Sequence, residues 1–210
     1  MASGNAKSSR NRLLEILAVI FLGVATVGSA WCGYQATRWN GEAADLSRDA
    51  FTLQVEASRQ FGLAVQTIAY DSNAVSQYAN AVASDNTDLT RFYREVLIRP
   101  DFLPILDLWE EQIAAGKTPT NLIDSEDYRN EQLGPYRETQ AQAEAKTVEA
   151  QQAGDIADDY VLTTLVLASA LFFAGLTTSF RVRFAQLLLL AGSGVLIAYA
   201  ASRLVELNVT

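Results

Sequence analysis

The stretch LLEILAVIFLGVATVGSAWCGYQATRWNGEAADLSRDAFTLQVEASR, residues 13–59, decides the fold. Its first 22 residues, 13–34, are predominantly apolar. An α-helix needs roughly 20 such residues to cross the hydrocarbon core of a bilayer. The stretch contains no proline and passes through Trp31, Tyr34 and Trp39 into a charged amphipathic segment. It therefore predicts one helix that starts in a membrane and leaves it.

Two further apolar segments occupy residues 160–180 and 185–202, and no strand-like alternation recurs along the chain. We therefore predict an all-α membrane protein with three transmembrane helices, two of which continue into an extracytoplasmic helical bundle. The predicted segments are a cytoplasmic N-terminal segment (1–12), transmembrane helix 1 (13–36), an acidic extracytoplasmic helical module (37–158), transmembrane helix 2 (159–180), a cytoplasmic turn (181–184), transmembrane helix 3 (185–202) and an extracytoplasmic tail (203–210).

The orientation follows from basic residues that flank the apolar segments. Cytoplasmic loops carry an excess of Lys and Arg, so the two basic flanks are expected inside and the C-terminus outside, in the plasma membrane of a prokaryote. The basic residues are Lys7, Arg10, Arg12, Arg181 and Arg183. Gly28, Ser29 and Ala30 before Trp31 also fit a signal-peptide cleavage site. The length of the apolar run favours an uncleaved anchor.

The middle region is strongly acidic, with 10 basic and 22 acidic residues between 37 and 159. This charge argues against a nucleic-acid partner. The chain has no histidine, so it lacks the commonest general base and metal ligand. Cys32 is the single cysteine and is interpreted as a packing residue. We find no catalytic, cofactor-binding or metal-binding motif and expect a non-enzymatic protein without a cofactor.

A helical pattern continues beyond the first span, with a predicted buried row at 57, 61, 64, 68, 71, 75, 78 and 82. Asp71 interrupts this row of apolar residues. It is interpreted as an internal cap or kink, as a buried polar site, or as a solvent-exposed position. Asp85 or Thr87 is expected to cap the next helix, and residues 118–135 are expected to form a loop.

Small residues four apart predict helix-packing faces on all three spans. Such faces serve packing within one chain or a homo-oligomer. They are Ala25, Ser29 and Gly33 on the first span, Ala170, Ala174 and Thr178 on the second, and Gly194, Ala198 and Ser202 on the third.

Two features are expected at the outer membrane boundary. Arg38 lies at about the depth of Asp158 and Asp159 on an antiparallel neighbour, which predicts an ion pair that fixes the register of two helices. Aromatic residues often form an interfacial belt at this depth. The predicted belt consists of Trp31, Tyr34, Trp39 and Tyr160.

The motif WCGYQATRW, residues 31–39, resembles a group of uncharacterised bacterial and archaeal three-span integral membrane proteins. Members share a Trp, a Tyr-Gln-Ala and an Arg-Trp pair at the end of the first span, and a short basic turn after the second. The resemblance implies architecture only, because no activity is attached to the group.

These observations predict an integral membrane structural or interaction protein. Its expected partners are the lipid bilayer and either further copies of itself or another membrane protein. The alternative is a small-solute sensor, transporter or pore with its site in the extracytoplasmic bundle. A binding module should contain a concave pocket lined by polar groups, whereas a scaffold should have a filled core.

Overall fold

The computed structural model of the chain describes residues 3–117, 122–180 and 182–207, with side chains from residue 12 onward. This part of the chain is helical and contains no strand, which confirms the all-α prediction. The helices are α1 (Ser3–Ala83), α2 (Thr87–Phe92), α3 (Leu103–Ala114), α4 (Glu126–Thr177) and α5 (Arg183–Glu206). A π-helical turn (Tyr93–Leu97) and two 3-10 turns (Pro100–Phe102 and Leu122–Asp124) connect them.

Three of these helices, α1, α4 and α5, are long and apolar enough to cross a membrane. Each contains an 18-residue window with at most two charged residues. The prediction of three apolar helices is therefore confirmed. Helix α1 is continuous through Asp71, so the sequence DSN at 71–73 neither caps nor ends it.

The chain divides into two compact units. We call Met1–Arg48 together with Thr147–Thr210 the apolar unit, and Asp49–Lys146 the helical module. The helical module lies within the predicted range 37–158 and is shorter at both ends.

The apolar unit has a core of mostly small residues, together with one leucine and one tyrosine. Its buried residues are Ala25, Cys32 and Ala36 from α1, Tyr160, Leu167 and Ala170 from α4, and Ala200 from α5. A Cβ added to Gly28 would lie 3.0 Å from Leu167 Cδ1. Small side chains let helix backbones approach closely, which is how helices without a hydrophobic driving force associate.

In the helical module, α1 buries one residue in every seven, at Ala50, Ala57, Ala64, Asp71 and Tyr78. A seven-residue spacing keeps one row of a helix facing its neighbours. The predicted row was right at 57, 64, 71 and 78 but wrong at Phe61 and Val82, which are exposed. A second buried row of α1 includes Ala74 and Ala81, each one position before a residue of the predicted row, Val75 or Val82.

The connections differ from the sequence prediction in two places. Asn86, which lies between the two predicted caps, is the N-cap of α2, and its side chain accepts a hydrogen bond from the Leu89 N–H at 3.1 Å. Residues 118–121 of the predicted loop 118–135 lie outside the described residues. The prediction is wrong from Glu126 onward, because α4 begins there and continues through Pro135. Proline removes one backbone donor. Tyr128, in the first turn of α4, is buried in the module core.

Candidate functional site

The most deeply buried charged group described in the helical module is the carboxylate of Asp71. Its side chain is 1% exposed. Arg99 approaches it with two hydrogen bonds, Nε to Oδ1 at 2.9 Å and Nη2 to Oδ2 at 2.7 Å. The Tyr128 hydroxyl donates a third bond to Oδ2 at 2.6 Å. We call Asp71, Arg99 and Tyr128 the Asp71 centre.

Local sequence explains how the two donors reach the carboxylate. Arg99 precedes Pro100, and a residue before proline is restricted to extended backbone. Its backbone is extended, with φ −65° and ψ 143°. Tyr128 is positioned by the packing of its ring edge-to-face against Phe102, with centroids 5.3 Å apart. The centre thus joins α1 to the turn before α3 and to the start of α4.

The chemistry of the Asp71 centre is that of a satisfied ion pair. The bidentate Arg–carboxylate geometry gives two parallel charge-assisted bonds, and the third bond satisfies another lone pair of the buried anion. Asp71 raises the pKa of Arg99, chiefly by accepting its hydrogen bonds. The pKa of Tyr128 is also raised, first by burial and then by the hydrogen bond to Asp71. Arg99 and Tyr128 therefore keep the protons that they direct at Asp71, which suits a structural role.

A second polar cluster lies around Glu110 in α3. The Tyr78 hydroxyl donates a hydrogen bond to Glu110 Oε1. Arg94 Nη1 donates to the same oxygen at 2.6 Å. The other guanidinium nitrogen of Arg94 pairs with Asp107. Burial and the Glu110 hydrogen bond raise the pKa of Tyr78. This cluster fastens α1 and the π-helical turn to α3.

The two buried phenols predict a pH dependence of the helical module. Both have a pKa above the ordinary value of about 10, so their folded-state stabilisation is complete below that pH. The free energy of unfolding should fall as pH rises above about 10, because the unfolded chain releases the phenolic protons first. Urea unfolding between pH 9 and 11.5 measures this fall.

Tyr128→Phe should reduce the slope of this alkaline loss. Tyr70→Phe is the control, because the Tyr70 hydroxyl donates to the backbone carbonyl of Leu97 at 2.7 Å and not to a carboxylate. Equal slopes in the wild type and the Tyr128→Phe variant would contradict the prediction.

Two shallow cavities flank the Tyr70–Leu97 hydrogen bond. One, of about 440 Å³, is lined by the π-helical turn, which includes Arg94, and by Arg99. The other, of about 420 Å³, is lined by Asn73, Gln77 and small residues of α1. Both arginines direct guanidinium nitrogens to carboxylates, as described above.

Asp159 pairs with a basic residue other than the predicted Arg38. Asp159 Oδ1 accepts a hydrogen bond from Arg203 Nη2 at 2.9 Å, which joins α4 to α5. Arg38 and Asp158 are exposed, and no ion pair of Arg38 occurs within the described ranges. Arg203 was assigned only to the tail by the sequence analysis. Its position at the end of an apolar segment resembles that of Arg38.

The predicted belt and topology residues have mixed positions. Trp31 and Tyr34 are exposed, with ring centroids 6.0 Å apart, and Trp39 packs against the core of the apolar unit. Tyr160 is fully buried, so it is a core residue and not part of a surface belt. Arg12 is exposed and Arg183 half-buried. Arg181 and the side chains of Lys7 and Arg10 lie outside the described residues.

The predicted packing faces are only partly turned inward. The buried members are Ala25, Ala170 and Ala174, and Ser29 and Gly194 are half-buried. The exposed members are Gly33, Thr178, Ala198 and Ser202. The inward members pack within one chain, so the exposed ones are those that remain for contacts with another molecule or lipid.

Comparison of the chain with protein-family models, with curated proteins and with solved structures finds no match.

Proposed function

We propose that this chain is an integral membrane structural or interaction protein, and that it acts as one subunit of a homo- or hetero-oligomer. The three apolar helices support insertion into the plasma membrane of a prokaryote. The basic residues around them support a cytoplasmic N-terminus and an outer helical module. The motif at 31–39 supports a relationship to the three-span group that it resembles.

The single observation that carries this proposal is the packed core of the helical module, in which the buried carboxylate of Asp71 is paired. Its buried charge is paired at the Asp71 centre, and the surrounding space is occupied by Phe102, Leu106 and Tyr128. A solute site would leave polar groups converging on an enclosed pocket. This core instead holds α1, α3 and α4 in a fixed arrangement, which is what a scaffold requires.

The surface of the module offers a candidate contact region on α1. Phe51 is 70% exposed and Val55 is 53% exposed. Steps of four and three place both on one face with Val65, and the positions between them are small. We call Phe51, Val55, Ser58, Gly62, Val65 and Ala69 the exposed α1 row. Contiguous exposed apolar surface typically marks an interaction site.

The proposal predicts an assembly larger than one chain. Purification in mild detergent followed by light scattering should give a protein mass that is a multiple of the single chain, or a complex with a co-purifying protein. The Phe51→Glu, Val55→Glu double variant should reduce this mass, because two charges would be buried in the contact. A wild-type protein that is strictly monomeric and has no partner would contradict the proposal.

The matched control is Ala141→Glu with Ala145→Glu. These residues are also four apart and exposed, but they lie on α4. The control adds the same charge with the same spacing to the same module, so it separates loss of the α1 contact from general charge repulsion. We expect it to keep the wild-type mass.

A small-solute sensor is the second candidate, and the two cavities beside Tyr70 are the observation that favours it. Both are open to the surface, and the larger one is partly lined by charged side chains. A solute that binds there should raise the melting temperature of the wild type. Leu103→Trp, which narrows the larger cavity, should abolish that increase.

A further inference from the structure

A groove in the apolar unit combines an apolar wall with charged groups of both signs at one end. The groove is about 350 Å³ in volume and is lined by α4 and α5. Its apolar lining includes Leu162, Leu165, Val166 and Leu196. Asp159 and Arg203 line it as well. From Asp159 to Ser169 the lining extends ~15 Å along α4 at the rise of an α-helix.

The charged end of the groove retains unused hydrogen-bonding capacity. Arg203 uses Nη2 for Asp159 at 2.9 Å and Nη1 for Glu206 at 3.4 Å. A guanidinium has five N–H donors, so further donors remain for a ligand oxygen. Asp159 accepts this bond at Oδ1, which leaves its second oxygen for a ligand donor. The side chains of Arg203 and Asp159 are 37% and 38% exposed.

We propose that this groove binds one zwitterionic phospholipid whose headgroup ends in a primary ammonium. The phosphate lies against Arg203, the ammonium donates to Asp159 and Glu206, and one acyl chain lies along the leucines of α4. One cation beside two carboxylates gives the end of the groove a net charge of −1, which disfavours an anionic lipid. A quaternary ammonium has no N–H to donate, which disfavours choline. The inference rests on the proposed membrane insertion.

Native mass spectrometry of the full chain in detergent provides the test, with dioleoyl phosphatidylethanolamine, phosphatidylcholine and phosphatidylglycerol titrated separately. We expect the wild type to bind one phosphatidylethanolamine about tenfold more tightly than the other two lipids, which is the effect of one charge-assisted hydrogen bond. Arg203→Gln should lose that preference. Asp159→Asn should reverse it toward phosphatidylglycerol, because the phosphate-binding arginine stays while one carboxylate charge is removed.

Two further variants keep the test decisive. Arg38→Gln is the matched control, because Arg38 is an exposed arginine near the end of the first apolar stretch. It should leave the lipid preference unchanged. Ser169→Phe fills the groove from the exposed side and should abolish binding of all three lipids while circular dichroism stays helical. Equal affinities of the wild type for the three lipids, or an unchanged preference in Asp159→Asn, would overturn the proposal.

Flotation of the full chain with vesicles separates this failure from failure of the proposed membrane insertion. A protein that floats with vesicles but lacks the lipid preference contradicts the groove assignment alone. A protein that does not float contradicts both.

Discussion

Asp71→Ala is expected to lower the free energy of unfolding of the helical module by about 3 kcal/mol, near the lower end of the range for breaking a buried ion pair. The cost arises because Arg99 loses both charge-assisted bonds and Tyr128 loses the acceptor of its buried hydroxyl. Arg99 is 30% exposed, so water partly solvates the charge that is left behind. This solvation places the cost near the lower end of the range.

Thermal unfolding of the full chain in detergent, followed by near-ultraviolet circular dichroism, measures this loss. A domain of 60–100 residues shifts by about 4–8 °C for each kcal/mol, so a decrease on the order of 15 °C is expected. Asp101→Asn is the control, because Asp101 also faces Arg99, at 3.6 Å, but is exposed. Similar decreases in melting temperature in Asp71→Ala and Asp101→Asn would show that the Asp71 centre does not stabilise the helical module.

A double variant tests whether the loss comes from the unpaired charge. Arg99→Gln combined with Asp71→Asn removes both charges and keeps side chains that form neutral hydrogen bonds. Replacing both partners of a buried pair costs less than removing one. The double variant should therefore lose less free energy of unfolding than the sum of the losses in Asp71→Asn and in Arg99→Gln.

The apolar helices were predictable from sequence because their composition is a local property. A run of about 20 apolar residues must avoid water in any arrangement, and the residues at 13–34 meet that condition without knowledge of their neighbours. Burial within the apolar unit was not predictable in the same way. Tyrosine is a residue type that is common at membrane interfaces. Tyr160 is nevertheless buried in the core of the apolar unit, because α1 and α4 pack around it.

The partners of Asp71 in the Asp71 centre could not be predicted from the sequence. The seven-residue spacing placed Asp71 on the buried row, which made a buried polar site one of three open interpretations. Its partners Arg99 and Tyr128 are 28 and 57 residues away. No helix periodicity connects positions that are separated by turns. The arginine before Pro100 was a signal only of extended backbone and did not indicate where its side chain would go.

Sequence reasoning did not identify Arg203 as the partner of Asp159, for a related reason. Counting along an apolar segment gives the depth of a residue but not which helix is its neighbour. Arg38 and Arg203 both lie at the ends of apolar segments, so depth alone does not distinguish them. The contact between α4 and α5 decided in favour of Arg203.

Leu106→Ala should be the second strongly destabilising change, with an expected cost of about 2–5 kcal/mol. Leu106 is fully buried within the module core, which also contains Phe102 and Tyr128. The cost combines the lost transfer free energy with the free energy of the cavity that the substitution leaves. Leu108→Ala is the matched control, since Leu108 lies two residues further along α3 and is 59% exposed. We expect the control to change stability by less than about 0.5 kcal/mol.

The size of the Leu106→Ala effect also distinguishes the two proposed functions. A scaffold with a filled core cannot collapse around the missing side chain, so the full cavity cost is expected from urea unfolding of the full chain in detergent. A module that encloses a solute would already have space in its core. Truncation would then enlarge that space at little more than the transfer cost, which lies near the bottom of the range. A loss of only about 2 kcal/mol, the bottom of the range, would therefore count against the scaffold and favour the solute-binding alternative.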